Sequence, residues 1–134
     1  MKNEKSIENQ AVNLVKKYYK KLGKKCWDVK NSEGCDLRDQ DGRLIEVKGR
    51  SKSDPHNQVH IYDSIFKYLK RKDWGDRAYN IYIVYDINKS PKLWRLTPKD
   101  LRGCISEPII RVVNIKKAIN SKIRRGEKPI HIKK

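Results

Sequence analysis

Residues Ala78-Tyr-Asn-Ile-Tyr-Ile-Val-Tyr-Asp86 constrain the fold more than any other stretch of this sequence. The run is rich in β-branched and aromatic side chains and is nearly continuous, the pattern of a strand buried on both faces rather than half solvated. Such a strand belongs in the middle of a sheet and needs other elements packed on each side of it.

The rest of the chain supplies them. Residues 4–22 set Ile7, Ala11, Leu14, Val15, Tyr18 and Leu22 along one face of an amphipathic helix, which Gly23 ends. Residues 25–30 and 34–39 read as short strands, and a turn at Gln40-Asp41-Gly42 leads from the second into a strand over 43–49. After a polar loop at 50–57, a strand turn is predicted at 59–62. Asp63 then caps a helix to about Lys72 with an apolar stripe of Ile65, Phe66 and Leu69. Beyond the central strand, 92–97 predicts another strand, 98–101 a single helical turn and 109–113 a short extended segment. Asn114 caps a closing helix carrying Ile115, Ala118, Ile119 and Ile123 on one side and ended by Gly126. The class is α/β, with a mixed central sheet flanked by helices.

The 134 residues fit one compact domain. Lys and Arg number 33 against 16 Asp and Glu, a formal charge of +17, far beyond what solubility requires, so a polyanionic partner is expected. Residues 114–134 hold eight basic side chains against Glu127 alone and read as a basic arm. No apolar run approaches the roughly 20 residues of a membrane span, and residues 1–7 lack the apolar core of a secretory signal, so the chain reads as cytoplasmic with no membrane partner. Cys26, Cys35 and Cys104 include no paired spacing and read as small buried side chains, not a disulfide framework or zinc site. His56 and His60, four apart, are a weak metal pair against a plain reading as surface polarity. Trp74 and Trp94 could stack on bases, but isolated tryptophans are more often packing anchors.

The chemistry is concentrated on the strand over 43–49. Its alternation sends Ile45 and Val47 one way and Leu44, Glu46 and Lys48 the other. A three-residue loop at 40–42 pairs Asp39 with Arg43, and hence Asp36 with Glu46, and puts Gly42 at positive φ. A two-residue turn would instead set Asp36 opposite Val47 and part the two carboxylates. Glu8 sits at the edge of the first helix's apolar face. Three carboxylates brought to one point repel one another unless a divalent cation lies between them, and hard oxygen donors select Mg²⁺ or Mn²⁺. A lysine beside such a cation suits hydrolysis of a phosphodiester, and the positive surface suits a nucleic acid substrate.

Glu8, then Gly34-Cys35-Asp36-Leu37, then Ile45-Glu46-Val47-Lys48-Gly49, in this order on helix, strand and strand, resembles the PD-(D/E)XK nuclease superfamily. With the polar loop, helix and Tyr-rich strand that follow, residues 4–100 are similar more narrowly to the NO VEIN carboxy-terminal domain family. The resemblance implies a restriction endonuclease-like αβββαβ core; the domain carrying it is placed at residues 1–113, and the basic helix and tail at 114–134, read from charge, have no counterpart in the family. It implies Asp36 and Glu46 as Mg²⁺ or Mn²⁺ ligands, Glu8 as the helix carboxylate joining them, and Lys48 as the catalytic lysine. The expected activity is metal-dependent endonucleolytic cleavage of DNA. Arg50, Lys52, Lys116, Lys117, Lys122, Arg124 and Arg125 are the expected nucleic-acid contacts. Two alternatives stay open. One is a resolvase of Holliday-junction type, working as a homodimer, and the other is a nucleic-acid-binding module of the same fold that does not cut. Removal of the chain from about residue 114 is expected to weaken binding without abolishing the metal-dependent chemistry.

Overall fold

The computed structural model describes residues 4–29, 35–55, 59–61, 79–101, 103–104 and 111–132. Helix α1 (Glu4–Lys21) is followed by strands β1 (Cys26–Asp28), β2 (Leu37–Asp39), β3 (Leu44–Gly49), β4 (Val59–Ile61), β5 (Tyr79–Tyr85) and β6 (Lys92–Leu96). Helix α2 (Pro98–Leu101), strand β7 (Arg111–Val113), helix α3 (Ile115–Arg124) and strand β8 (Ile130–His131) complete the order. The helix expected at 63–72, with Ile65, Phe66 and Leu69, lies outside the described residues, as do His56 and Trp74.

Six strands form one mixed sheet in the order β1-β2-β3-β5-β6-β8, while β4 and β7 pair separately as a two-stranded antiparallel sheet. β1, β2 and β3 run as an antiparallel meander, β5 lies parallel to β3, and β6 and β8 return antiparallel. All seven residues of β5 are buried, as expected for a central strand. Alternation along it builds two cores. Tyr82 and Val84 join Leu37, Ile45, Val47 and Leu93 under the Ala11, Leu14 and Val15 face of α1. Tyr79, Ile81 and Ile83 join Leu44, Trp94 and Leu96 on the other face, covered by Leu101 and by Ile115, Ala118 and Ile119 of α3.

The hairpin closes as the sequence predicts. The Gly42 N–H donates to the Asp39 carbonyl at 3.0 Å, the Asp39 N–H donates to the Arg43 carbonyl at 3.1 Å, and Gly42 has φ +88°. Asp39 is buried and tied down on every side. Its carboxylate accepts from the backbone N–H groups of Asp41 and Arg43, from the Arg43 guanidinium and from the Tyr19 hydroxyl at 2.7 Å. Burial by itself would raise this carboxyl, but those bonds outweigh it and hold Asp39 below the usual carboxylate range.

Asn114 caps α3 by accepting from the Lys117 N–H, and Gly126 follows the helix at φ +84°. The apolar stripe differs from the periodicity at one position: Ile123 is 53% exposed, while Lys122 is buried in its place. Lys122 can go inside because the Asp100 carboxylate meets its ammonium at 3.1 Å and Glu127 meets it at 3.0 Å. Segment 114–132 therefore closes the same sheet: α3 seals one core, and β8 hydrogen-bonds to β6. Cys35 and Cys104 are buried, Cys26 is half-buried, and none of the three is disulfide-bonded. Trp94 is a buried anchor. Among the described residues no helix is long and apolar enough to cross a membrane.

Candidate active site

β3 presents Ile45 and Val47 to α1, and Glu46 and Lys48 to the opposite face, as its alternation dictates. That opposite face is not an open polar surface. It is the second core, and Glu46 is half-buried in it where the Tyr79 hydroxyl of the neighbouring strand donates to its Oε2 at 3.3 Å. Burial first, and then the hydrogen bond and negative charge of Asp36, push the Glu46 carboxyl up to about 9, against smaller opposing effects of Lys48 and the Tyr79 hydroxyl. Asp36 thus acts directly on Glu46 across one site.

Asp36 reaches that site by a route the expected register does not include. The strand ladder ends at Leu37↔Ile45, and Asp36 stands just before β2 at a bend. Its own N–H donates to the Ile45 carbonyl at 2.9 Å, and its Oδ2 accepts from the Val47 N–H at 2.7 Å. The side chain thereby takes the amide that a continued ladder would have used. Strict Asp36↔Glu46 backbone pairing is not formed, yet the two carboxyls meet.

Glu8 arrives from the other side of the sheet. α1 crosses the end of β3 so closely that a Cβ on Gly49 would lie 2.9 Å from both the Ala11 Cβ and the Ile7 carbonyl oxygen. Only glycine permits that approach. It brings the Glu8 Oε1 to 3.3 Å from the Gly49 N–H, which donates to it. Burial raises the Glu8 carboxyl, as does the charge of Asp36, while the Gly49 N–H, Lys48 and Arg50 act the other way. Glu8, Asp36, Glu46 and Lys48 are therefore one electrostatic neighbourhood. Arg50 adjoins it, donating from Nη1 to the Gly49 carbonyl at 2.9 Å, with its Nε buried and without a partner among the described residues.

The donor set is of the right kind for Mg²⁺ or Mn²⁺, being hard carboxylate oxygens close enough that the charge of Asp36 raises both Glu46 and Glu8, a repulsion that a cation between them would relieve. It is not drawn into a tight cage: among the described residues no three His, Cys, Asp or Glu side chains form a group able to hold a metal as they stand. The expected phosphate contacts divide. Lys52, Lys116, Lys117 and Arg124 are exposed. Lys122 is buried on Asp100, and Arg125 is engaged by Asp100 at 2.7 Å and by Glu127 at 3.1 Å. Tyr79 is a site residue that sequence reasoning does not single out. Its one signal is parity, because it lies on the same face of the central strand as Ile81 and Ile83 and is the cross-strand partner of Leu44, two residues from Glu46.

A family model described as the C-terminal part of protein NO VEIN matches residues 4–96. The chain belongs to this NO VEIN C-terminal family. The matched stretch runs from the first residue of α1 to the last of β6, so all four residues of the neighbourhood lie inside the NO VEIN region and α2, α3 and β8 follow it. No curated protein matches the chain at a significant level.

Proposed function

We propose that this NO VEIN C-terminal family member is a metal-dependent endonuclease that hydrolyses DNA phosphodiester bonds, on a restriction endonuclease-like αβββαβ plan. The observation that carries the reading is the approach of Asp36 to the half-buried Glu46 carboxyl beside Lys48 and Glu8, at the end of a strand next to the sheet's centre. Paired carboxyls of this kind are costly to keep half-buried. The β1-β2-β3 meander with β5 parallel to β3 agrees with the proposed plan.

In this reading Asp36, Glu46 and Glu8 hold Mg²⁺ or Mn²⁺, which when bound supplies Lewis acidity toward a phosphate oxygen. Tyr79 orients Glu46 through its hydroxyl, and the Val47 and Gly49 N–H groups orient Asp36 and Glu8. Lys48 brings a positive charge to the attacked phosphate and helps to position the water nucleophile. Arg50 and the exposed lysines hold the strand by its phosphates.

The rival reading, a module that binds nucleic acid without cutting it, draws on the bond from the Val47 N–H to Asp36, which gives that side chain a structural task of its own. Metal dependence separates the two. Incubation with plasmid, junction, flap and single-stranded substrates is expected to give cleavage in Mg²⁺ or Mn²⁺ and none in EDTA. Cleavage that ignores metal would overturn the mechanism, and tight binding with no cleavage in either metal would favour the rival.

A further inference from the structure

We propose that Trp27, with Arg38 beside it, is a stacking platform for an unpaired base on the strand that enters the Asp36 and Glu46 site. The inference deepens the nucleic-acid reading above and rests on it. β1 is an outermost strand of the six-stranded sheet, and on it Trp27 lies directly opposite Arg38, which in turn lies opposite Leu44. Cross-strand partners share a face, and Leu44 belongs to the face that carries Glu46 and Lys48. The neighbours of Trp27 confirm its direction by pointing away from it. Cys26 packs into the core under α1, and Asp28 is bonded at 2.8 Å to Lys16 of α1.

Over β5 and β6 this face is closed by α2 and α3, but at β1 Trp27 remains 48% exposed. Two strand spacings and two residues of rise separate it from Glu46, about 12 Å between backbones. At about 3.4 Å per stacked nucleotide, that is a reach of three or four nucleotides. An indole offers every base a π-face, whereas a base paired within a duplex cannot lie flat on it, so the platform selects unpaired or frayed strands.

Charge decides the occupant. Residues 16–25 contain six lysines, and Arg38 adds a seventh cation next to the indole. A second copy of a chain with a net charge of +17, added along the β1 edge, would bring these charges against one another, whereas a polyanion is attracted by them.

The test is binding of a fluorescent single-stranded DNA and of its duplex, in EDTA so that cleavage plays no part. Trp27→Ala is expected to weaken the single-strand complex about tenfold and the duplex complex less than about twofold, with Trp27→Phe retaining most of the affinity. The salt dependence of binding is expected to stay unchanged, since stacking releases no counterions. Equal loss on both DNAs, or no loss on either, would overturn the platform. So would sedimentation showing a wild-type dimer that Trp27→Ala dissociates, which would make the edge an interface between copies. A parallel cleavage assay in Mg²⁺ keeps the two readings apart. Selective loss of single-strand binding in a protein that never cuts would sustain the platform and refute the nuclease, and metal-dependent cutting by a Trp27→Ala variant that binds single strands as tightly as the wild type would do the reverse.

Discussion

A carboxyl held at about 9 is a cost to the fold whenever the solution would ionise it, and Glu46 is in that position. Because its folded pKa lies above the ordinary 4.5, the metal-free protein has the full benefit of Glu46 only below about pH 4.5 and loses stability as pH rises from there toward 9. Glu46→Gln keeps the shape and the Tyr79 bond but removes the titration. It is expected to raise the stability of the metal-free protein by about 2 kcal/mol near neutral pH, to flatten the dependence of Tm on pH, and to abolish cleavage. Mg²⁺ should raise the Tm of the wild type and not that of the variant. Thermal melts from acid to alkaline pH, with and without Mg²⁺, check all of this. A variant less stable than wild type at neutral pH would show that Glu46 is a structural anion instead. Lys48→Met should abolish cleavage while leaving affinity nearly intact, because one lysine is a small part of a field set by 33 basic side chains, while its place beside Glu46 serves the transition state.

At the scale of elements, the site depends on how close α1 comes to β3. Gly49→Ala puts a methyl 2.9 Å from Ala11 and from the Ile7 carbonyl, so the helix must lift and carry Glu8 away from the Gly49 N–H. A loss of about 1–3 kcal/mol in denaturant unfolding is expected, together with a fall in activity larger than stability accounts for. Unchanged activity would mean that Glu8 takes no part. The hairpin that brings up Glu46 is legible in the sequence, because its loop and register follow from local chemistry: Gly42 supplies the positive φ, and the Leu37 and Ile45 pattern fixes the faces. Two features beside it are not. Alternation identifies the face of Glu46 but not what covers that face, since α3 comes from residues far along the chain. Asp36 leaves the ladder through a bond from its own side chain to the Val47 amide, a competition between side chain and backbone that no periodicity records. The exchange of Ile123 for Lys122 in the buried stripe is of the same kind, because it depends on Asp100 arriving from α2.

For the whole molecule, the question is where the positive charge is available and where it is spent. The carboxy-terminal segment reads in sequence as a basic arm that could be removed, yet α3 buries Ile115, Ala118 and Ile119 in one core and β8 pairs with β6. Deleting residues 114–134 strips an edge from the sheet and opens that core, so the truncated chain is expected to lose its cooperative thermal transition rather than simply bind less tightly. Charge can be removed without that damage at Lys116, Lys117 and Arg124, which are exposed, whereas Lys122 and Arg125 are held by Asp100 and Glu127. The triple substitution of Lys116, Lys117 and Arg124 by Gln should leave the melt close to that of the wild type. It should reduce the slope of log affinity against log salt on duplex DNA by about 0.9 for each phosphate that is no longer neutralised. If the slope does not move, α3 faces away from the nucleic acid, and the lysines at the end of α1, beside the β1 edge, are the cations that meet the phosphates.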